Sequence, residues 1–185
     1  MLNKLIKGVV IVLLLLSVML NIFLYSNLSK AYEKVNLTLS EKVSVLCGEV
    51  ELIEEEILSY GNSSDTEYLN LIGEKLYENC YDKSKEISSY KNLGDTYACF
   101  DLADFEGFIL EFVRIDENLT EEELQEKRAS LLTLCALFQE LRIPPYYDLD
   151  KDPDGHIEKL NAITDFCFTY TQREYSSRRN KNCRA

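Results

Sequence analysis

The residues best suited to chemistry stand together near the carboxyl end of the chain. Asp148, Asp150, Asp152 and Asp154 alternate along one short stretch, and Gly155, His156, Glu158 and Asn161 follow. Alternate side chains of a tight loop converge their oxygens, and calcium takes roughly six to eight oxygen ligands. Gly155 permits the sharp turn such a loop needs, the His156 carbonyl would point inward, and Glu158 would reach the cation directly or through water. The predicted metal ligands in this stretch are Asp150, Asp152, Asp154, His156 and Glu158. Two other readings compete: a transition metal bound by His156 with the aspartates, and a metal-free acidic loop in which Asp154 caps the helix that follows.

Counted from Asp150, residues 150–161 resemble the calcium loop of EF-hand and dockerin-type modules. Asp150, Asp152 and Asp154 fall at positions one, three and five, Gly155 at six and Ile157 at eight. The resemblance implies Ca2+ as the cofactor, held with a dissociation constant of about 10⁻⁴–10⁻³ M as in extracellular modules. The sequence departs from that pattern at two points. Asn161, the further ligand the resemblance implies at position twelve, stands where a bidentate Glu is the rule, and Pro144-Pro145-Tyr146-Tyr147 stands where a helix would lead into the loop.

Catalytic constellations are otherwise scarce. His156 is the sole histidine, no serine or cysteine motif accompanies it, and no glycine-rich phosphate loop or His-Glu-x-x-His occurs. The sequence predicts no enzyme. The six cysteines, Cys47, Cys80, Cys99, Cys135, Cys167 and Cys183, include no Cys-x-x-Cys pair that would suggest zinc or thioredoxin-like redox chemistry. Cys47, Cys80, Cys135 and Cys167 lie on or beside apolar faces and read equally as core thiols. Cys183, among Arg178, Arg179, Lys181 and Arg184, is better explained by a bond that pins the tail. Two or three disulfides are expected, each contributing roughly 2–4 kcal/mol.

The elements that position these residues begin with a long apolar run. Residues 8–25 are interrupted by only Ser17 and Asn21 and would rise about 27 Å as a helix, close to the ~30 Å hydrocarbon core of a bilayer. Lys4 and Lys7 precede the run, so the positive-inside tendency places residues 1–7 in the cytoplasm and the remaining chain across the membrane. A cleavable signal peptide is the competing reading, with Ser29 and Ala31 framing a cut before Tyr32. From Leu28 the apolar positions Tyr32, Val35, Leu39, Val43, Leu46, Val50, Ile53, Ile57 and Tyr60 keep a helical period. This predicts an amphipathic stalk helix over 26–60, packed on later helices of the same chain or on a second copy in a coiled coil.

Residues 61–172 read as a helical domain. Gly61-Asn62-Ser63-Ser64 makes a turn, and Ser64 with Glu67 predicts a capping box opening a helix with the stripe Leu69, Ile72, Leu76, Cys80, Ile87 and Tyr90. The stripe weakens between Asp82 and Lys85. Residues 104–115 place Phe105, Phe108, Ile109, Phe112 and Val113 on one helical face, although a short strand also fits. Thr120 and Glu123 predict a second capping box ahead of Leu124, Leu131, Leu134, Cys135, Phe138 and Leu141, and Pro144 and Pro145 stop that helix. Ile157, Leu160, Ile163, Cys167 and Tyr170 mark a final helix, and 173–185 reads as a basic tail. The fold class expected is all-α: a transmembrane helix continuing into a stalk, then a bundle of four or five helices.

Charge bounds the partners. The net charge is −12, and with the basic residues gathered at the two ends the middle of the chain is more acidic still. Such a surface repels nucleic acid and anionic lipid and suits a basic protein partner or divalent cations. Pro144-Pro145-x-Tyr147 matches a WW-domain ligand but reads as a helix stop, and Asn27, Asn36, Asn62 and Asn118 head glycosylation sequons. The function expected is that of a single-pass, membrane-anchored, extracytoplasmic interaction protein, an accessory or adaptor subunit of a membrane assembly. The alternative is a calcium-binding module built on 150–161.

Overall fold

The computed structural model describes residues 2–60, 65–88, 103–113, 115, 119–142 and 153–182. Every regular element among them is helical: α1 Leu2–Ser59, α2 Thr66–Leu76, a π-helical turn Tyr77–Tyr81, α3 Asp82–Ser88, α4 Ala103–Val113, α5 Glu121–Leu141 and α6 Pro153–Asn182. Because α2, the π turn and α3 form one continuous arm, the all-α expectation of a long first helix followed by a helical bundle is met. The segment 104–115, for which a strand also fitted, is helix α4. The chain divides into two units, Met1–Asn36 and Leu37–Ala185.

In the first unit residues 8–34 are exposed throughout. Leu14 at 61 % and Met19 at 68 % lie on opposite faces, so this helix is apolar all round, unlike the one-sided helix of a soluble domain. Among the described residues it supplies the one helix long and apolar enough to cross a membrane, with a mean hydropathy of 2.6 over its most apolar window. Leu28 and Tyr32 are exposed as well. Burial of the predicted stripe therefore starts at Leu39, three turns later than its sequence period does.

In the second unit the end of α1 contributes Leu39, Val43, Leu46, Val50, Ile53 and Ile57 to the core, spaced to keep one face inward. At the start of α2 the predicted cap moves by one residue. Asp65, in extended backbone at φ −88° and ψ 156°, accepts the Tyr68 N–H on its carboxylate at 2.6 Å; Ser64 lies outside the described residues. An aspartate in this position satisfies a backbone donor that the helix leaves without a partner. The π turn Tyr77–Tyr81 ends immediately before the weak middle of the next stripe, which lies in α3. Its wider turn brings Ser84 inward below Cys80, both fully buried, and the Ser84 hydroxyl donates to the Tyr81 carbonyl at 2.7 Å.

α4 is the hub. Phe105 tilts against Phe138 of α5 with ring centres 5.4 Å apart, Phe108 against Tyr170 of α6 at 4.8 Å, and Phe112 lies nearly parallel to Tyr170. On the other side α2 crosses α4 at Gly73, backbone against backbone. The capping box of α5 forms as predicted: the Glu123 N–H donates to the Thr120 hydroxyl at 3.2 Å and the Thr120 N–H to the Glu123 carboxylate at 2.9 Å. α6 differs from expectation at both ends. It starts at Pro153, whose fixed φ suits a first helical residue, which puts Asp154 inside the first turn rather than at the cap. It also runs on to Asn182, so most of the basic tail is helix.

Candidate functional site

Lys127 breaks the apolar pattern of α5. It follows Leu124 by three residues and precedes Leu131 by four, so the helix turns it into the core, where it is 7 % exposed. A buried ammonium must be paired and hydrogen-bonded to persist. Lys127 donates to the Tyr170 hydroxyl oxygen at 3.1 Å and to the Glu174 carboxylate at 2.8 Å, two residues one turn apart on α6. The rings of Phe112 and Tyr170 face the ammonium at 5.4 and 5.5 Å, within cation–π range. Arg173 lies over the Tyr170 ring at 5.2 Å and pairs with Glu126 at 2.7 Å. Burial, followed by the charge of Glu174, pushes the Tyr170 phenol up and keeps it neutral. The chemistry of this cluster is that of a tether: one cation joins α5, α6 and the aromatic face of α4.

The carboxylates of α1 do similar work toward the surface. Glu49 pairs with Lys83 at 3.0 Å, Glu56 with Lys75, and Glu51 with Arg142 at 3.2 Å, while Glu54 accepts from the Gln139 amide. Part of the acidity expected to face a basic partner is thus engaged inside the unit. At the far end of α1, Tyr60 and Tyr68 stack with ring centres 3.8 Å apart and planes 7° from parallel. The Tyr68 hydroxyl donates to the Glu56 carbonyl at 3.2 Å, and burial, then Glu56, pushes its phenol up to about 12. With Asp65, Thr66, Glu67, Asn70, Leu71 and Glu74 this pair lines a cavity of about 740 Å³. Two of its polar groups serve the fold: Asp65 caps α2, and the Asn70 side-chain oxygen accepts the Ile115 N–H beyond α4 at 3.1 Å.

Of the predicted cation ligands, Asp150 and Asp152 lie outside the described residues. Asp154, His156, Glu158 and Asn161 all fall in α6, which is helical from Pro153 onward. Neighbours two apart on a helix are about 200° apart around its axis. Positions 154, 158 and 161 therefore share a face, and position 156 falls on another. Among the described residues no three His, Cys, Asp or Glu side chains come together as a metal site. Cys47, Cys80, Cys135 and Cys167 are all buried, and Cys99 and Cys183 lie outside the described residues. Cys80, Cys135 and Cys167 carry thiols. Burial, aided by Glu49 and Glu54 respectively, pushes Cys80 and Cys135 up to about 12, and burial with Asp104 pushes Cys167 up as well.

The tether of Lys127, Tyr170 and Glu174 was not among the predicted sites. Its signal was present: a lysine in register with an apolar stripe, and a tyrosine and glutamate four apart on another helix. Comparison of the chain with protein-family models, curated proteins and solved structures gives no match. The class is an all-helical protein whose described residues include one helix long and apolar enough to cross a membrane.

Proposed function

We propose that this is a single-pass membrane protein acting by binding, an accessory or adaptor subunit of a membrane-associated assembly, with residues 1–7 cytoplasmic and the helical domain extracytoplasmic. The observation that supports it is the exposed, all-round apolar surface of α1 over residues 9–24, which water disfavours and hydrocarbon accepts. Lys4 and Lys7 support the orientation. The buried ammonium of Lys127 ties α5 to α6, which suits a rigid scaffold for interaction better than a reaction centre. The test uses the full chain with an epitope at each end, expressed into sealed microsomes. It should stay with the membranes in alkaline carbonate, with the amino-terminal epitope digested by added protease and the carboxyl-terminal one protected. Release by carbonate would overturn the span, and the reverse protection pattern the orientation.

A calcium-responsive module is the second reading, supported by the run of alternate aspartates from Asp148 to Asp154. A thermal melt in chelator and then in 1 mM calcium, with Asp152→Ala alongside, separates the two. A site with a dissociation constant near 0.1 mM would raise Tm by about 3–5 °C, and the variant would lose that rise. No shift in either protein removes this reading.

A further inference from the structure

One face of α1 carries a seam that runs through its apolar stretch and about two turns beyond it. Leu14, Ser17, Asn21, Leu24, Leu28 and Ala31 succeed one another at spacings that alternate three and four, the repeat of about 3.5 residues by which two helices interlock. All six are exposed, the three leucines at 61 %, 54 % and 55 %. Ser17 and Asn21 differ in what they need. A serine hydroxyl can return its hydrogen bond to the carbonyl four residues earlier. An asparagine amide has two donors and an acceptor oxygen, and the backbone of its own helix is already paired. Ser17 lies near the middle of residues 8–25 and Asn21 about 6 Å farther along the axis, still within the apolar layer, where no water completes the bonding.

We propose that this seam pairs with the same seam of a second copy of the chain, parallel and two-fold symmetric, with the two Asn21 amides bonded to each other. The inference rests on the reading of residues 8–25 as a membrane span. Depth selects the occupant. A second copy inserted in the same sense holds its own Asn21 at the same level and on the same face, so the pairing is self-complementary. Register follows too, because a slip of one heptad sets each amide against Leu14 or Leu28. A lone asparagine in the core of a two-stranded seam fixes alignment for that reason.

The test is energy transfer between donor- and acceptor-tagged full-length copies in mild detergent micelles, read as the protein-to-detergent ratio changes. Asn21→Leu, Asn21→Gln and Met19→Leu accompany the parent. The parent should show concentration-dependent transfer, with dissociation about tenfold easier in Asn21→Leu. Asn21→Gln should restore association, and Met19→Leu, on the opposite face, should leave it unchanged. Equal association of the parent and Asn21→Leu overturns the amide contact, and absence of transfer overturns self-association. Carbonate extraction distinguishes the failures: a chain released from membranes loses the span and the seam together, and one retained but monomeric loses only the seam.

Discussion

A Cβ built on Gly73 would stand 2.3 Å from the carbonyl oxygen of Phe112. Glycine to alanine inside a helix ordinarily stabilises by about 0.5–1 kcal/mol. At position 73 the sign should reverse, since the obstacle is backbone of α4 and not the end of a flexible side chain. Gly73→Ala should destabilise by about 1–3 kcal/mol and lower Tm by about 3–10 °C. Gly48→Ala, where a Cβ meets nothing within 4 Å, should leave Tm equal or slightly raised. Two substitutions with the same effect on Tm would refute this helix crossing.

Removing Lys127 tests the tether. In Lys127→Ala the Glu174 carboxylate and the Tyr170 hydroxyl lose their donor and a cavity opens beside Phe112, so a loss of about 2–4 kcal/mol is expected in urea titration. Lys127→Met with Glu174→Gln keeps the volume and removes both charges, and should recover most of that loss. Recovery of nothing would mean that the ion pair itself, and not packing volume or an uncompensated charge, holds α5 to α6.

Alkaline pH should unfold the domain from pH 9 upward. Cys80 and Cys135 are raised to about 12 from the ordinary thiol value of 9.0, Tyr68 to about 12 from 10.0, and Cys167 and Tyr170 are raised with them. Between pH 9 and 12 the unfolded chain gives up these protons while the folded chain keeps them. The unfolded state then binds fewer protons, and stability falls as pH rises. The urea midpoint at pH 10.5 should be clearly below that at pH 8, and a midpoint flat across this interval would contradict the burial of these groups.

Thiol chemistry offers an independent check on the core. Cys80 and Cys167 are fully buried and Cys135 is 2 % exposed, so the reactive thiolate is both scarce and inaccessible. In native buffer an aromatic disulfide reagent should leave these three unmodified for as long as the fold persists. In denaturant they should react within the mixing time. Prompt modification of any of them under native conditions would place that helix face elsewhere.

The helices and their inward faces were legible in the sequence because each rests on a local period. The capping box of Thr120 and Glu123 and the stripe of α5 depend on residues at most a few turns apart. Where the reading slipped, the local pattern left a choice open. The cap of α2 falls to Asp65, one residue beyond the expected position, because serine and aspartate serve equally well as caps and a local pattern does not choose between neighbours. Leu28 and Tyr32 continue the stripe of α1, but period says which side faces inward and not how far a covering helix reaches. The tether was hidden because Lys127 reads as a fault in a stripe until α6 brings Tyr170 and Glu174 beside it.

The π-helical turn Tyr77–Tyr81 settles a choice among three consecutive residues. An uninterrupted α-helix from Leu76 would carry Lys83 inward together with Cys80 and Ile87. The wider turn delays the phase by one place, so Ser84 enters the core and its two lysine neighbours are turned out, Lys83 to Glu49 and Lys85 over the Tyr81 ring at 4.2 Å. A single extra residue in the winding thus works as a selector: it admits the one small side chain of the Lys-Ser-Lys triplet and gives each charge a place at the surface.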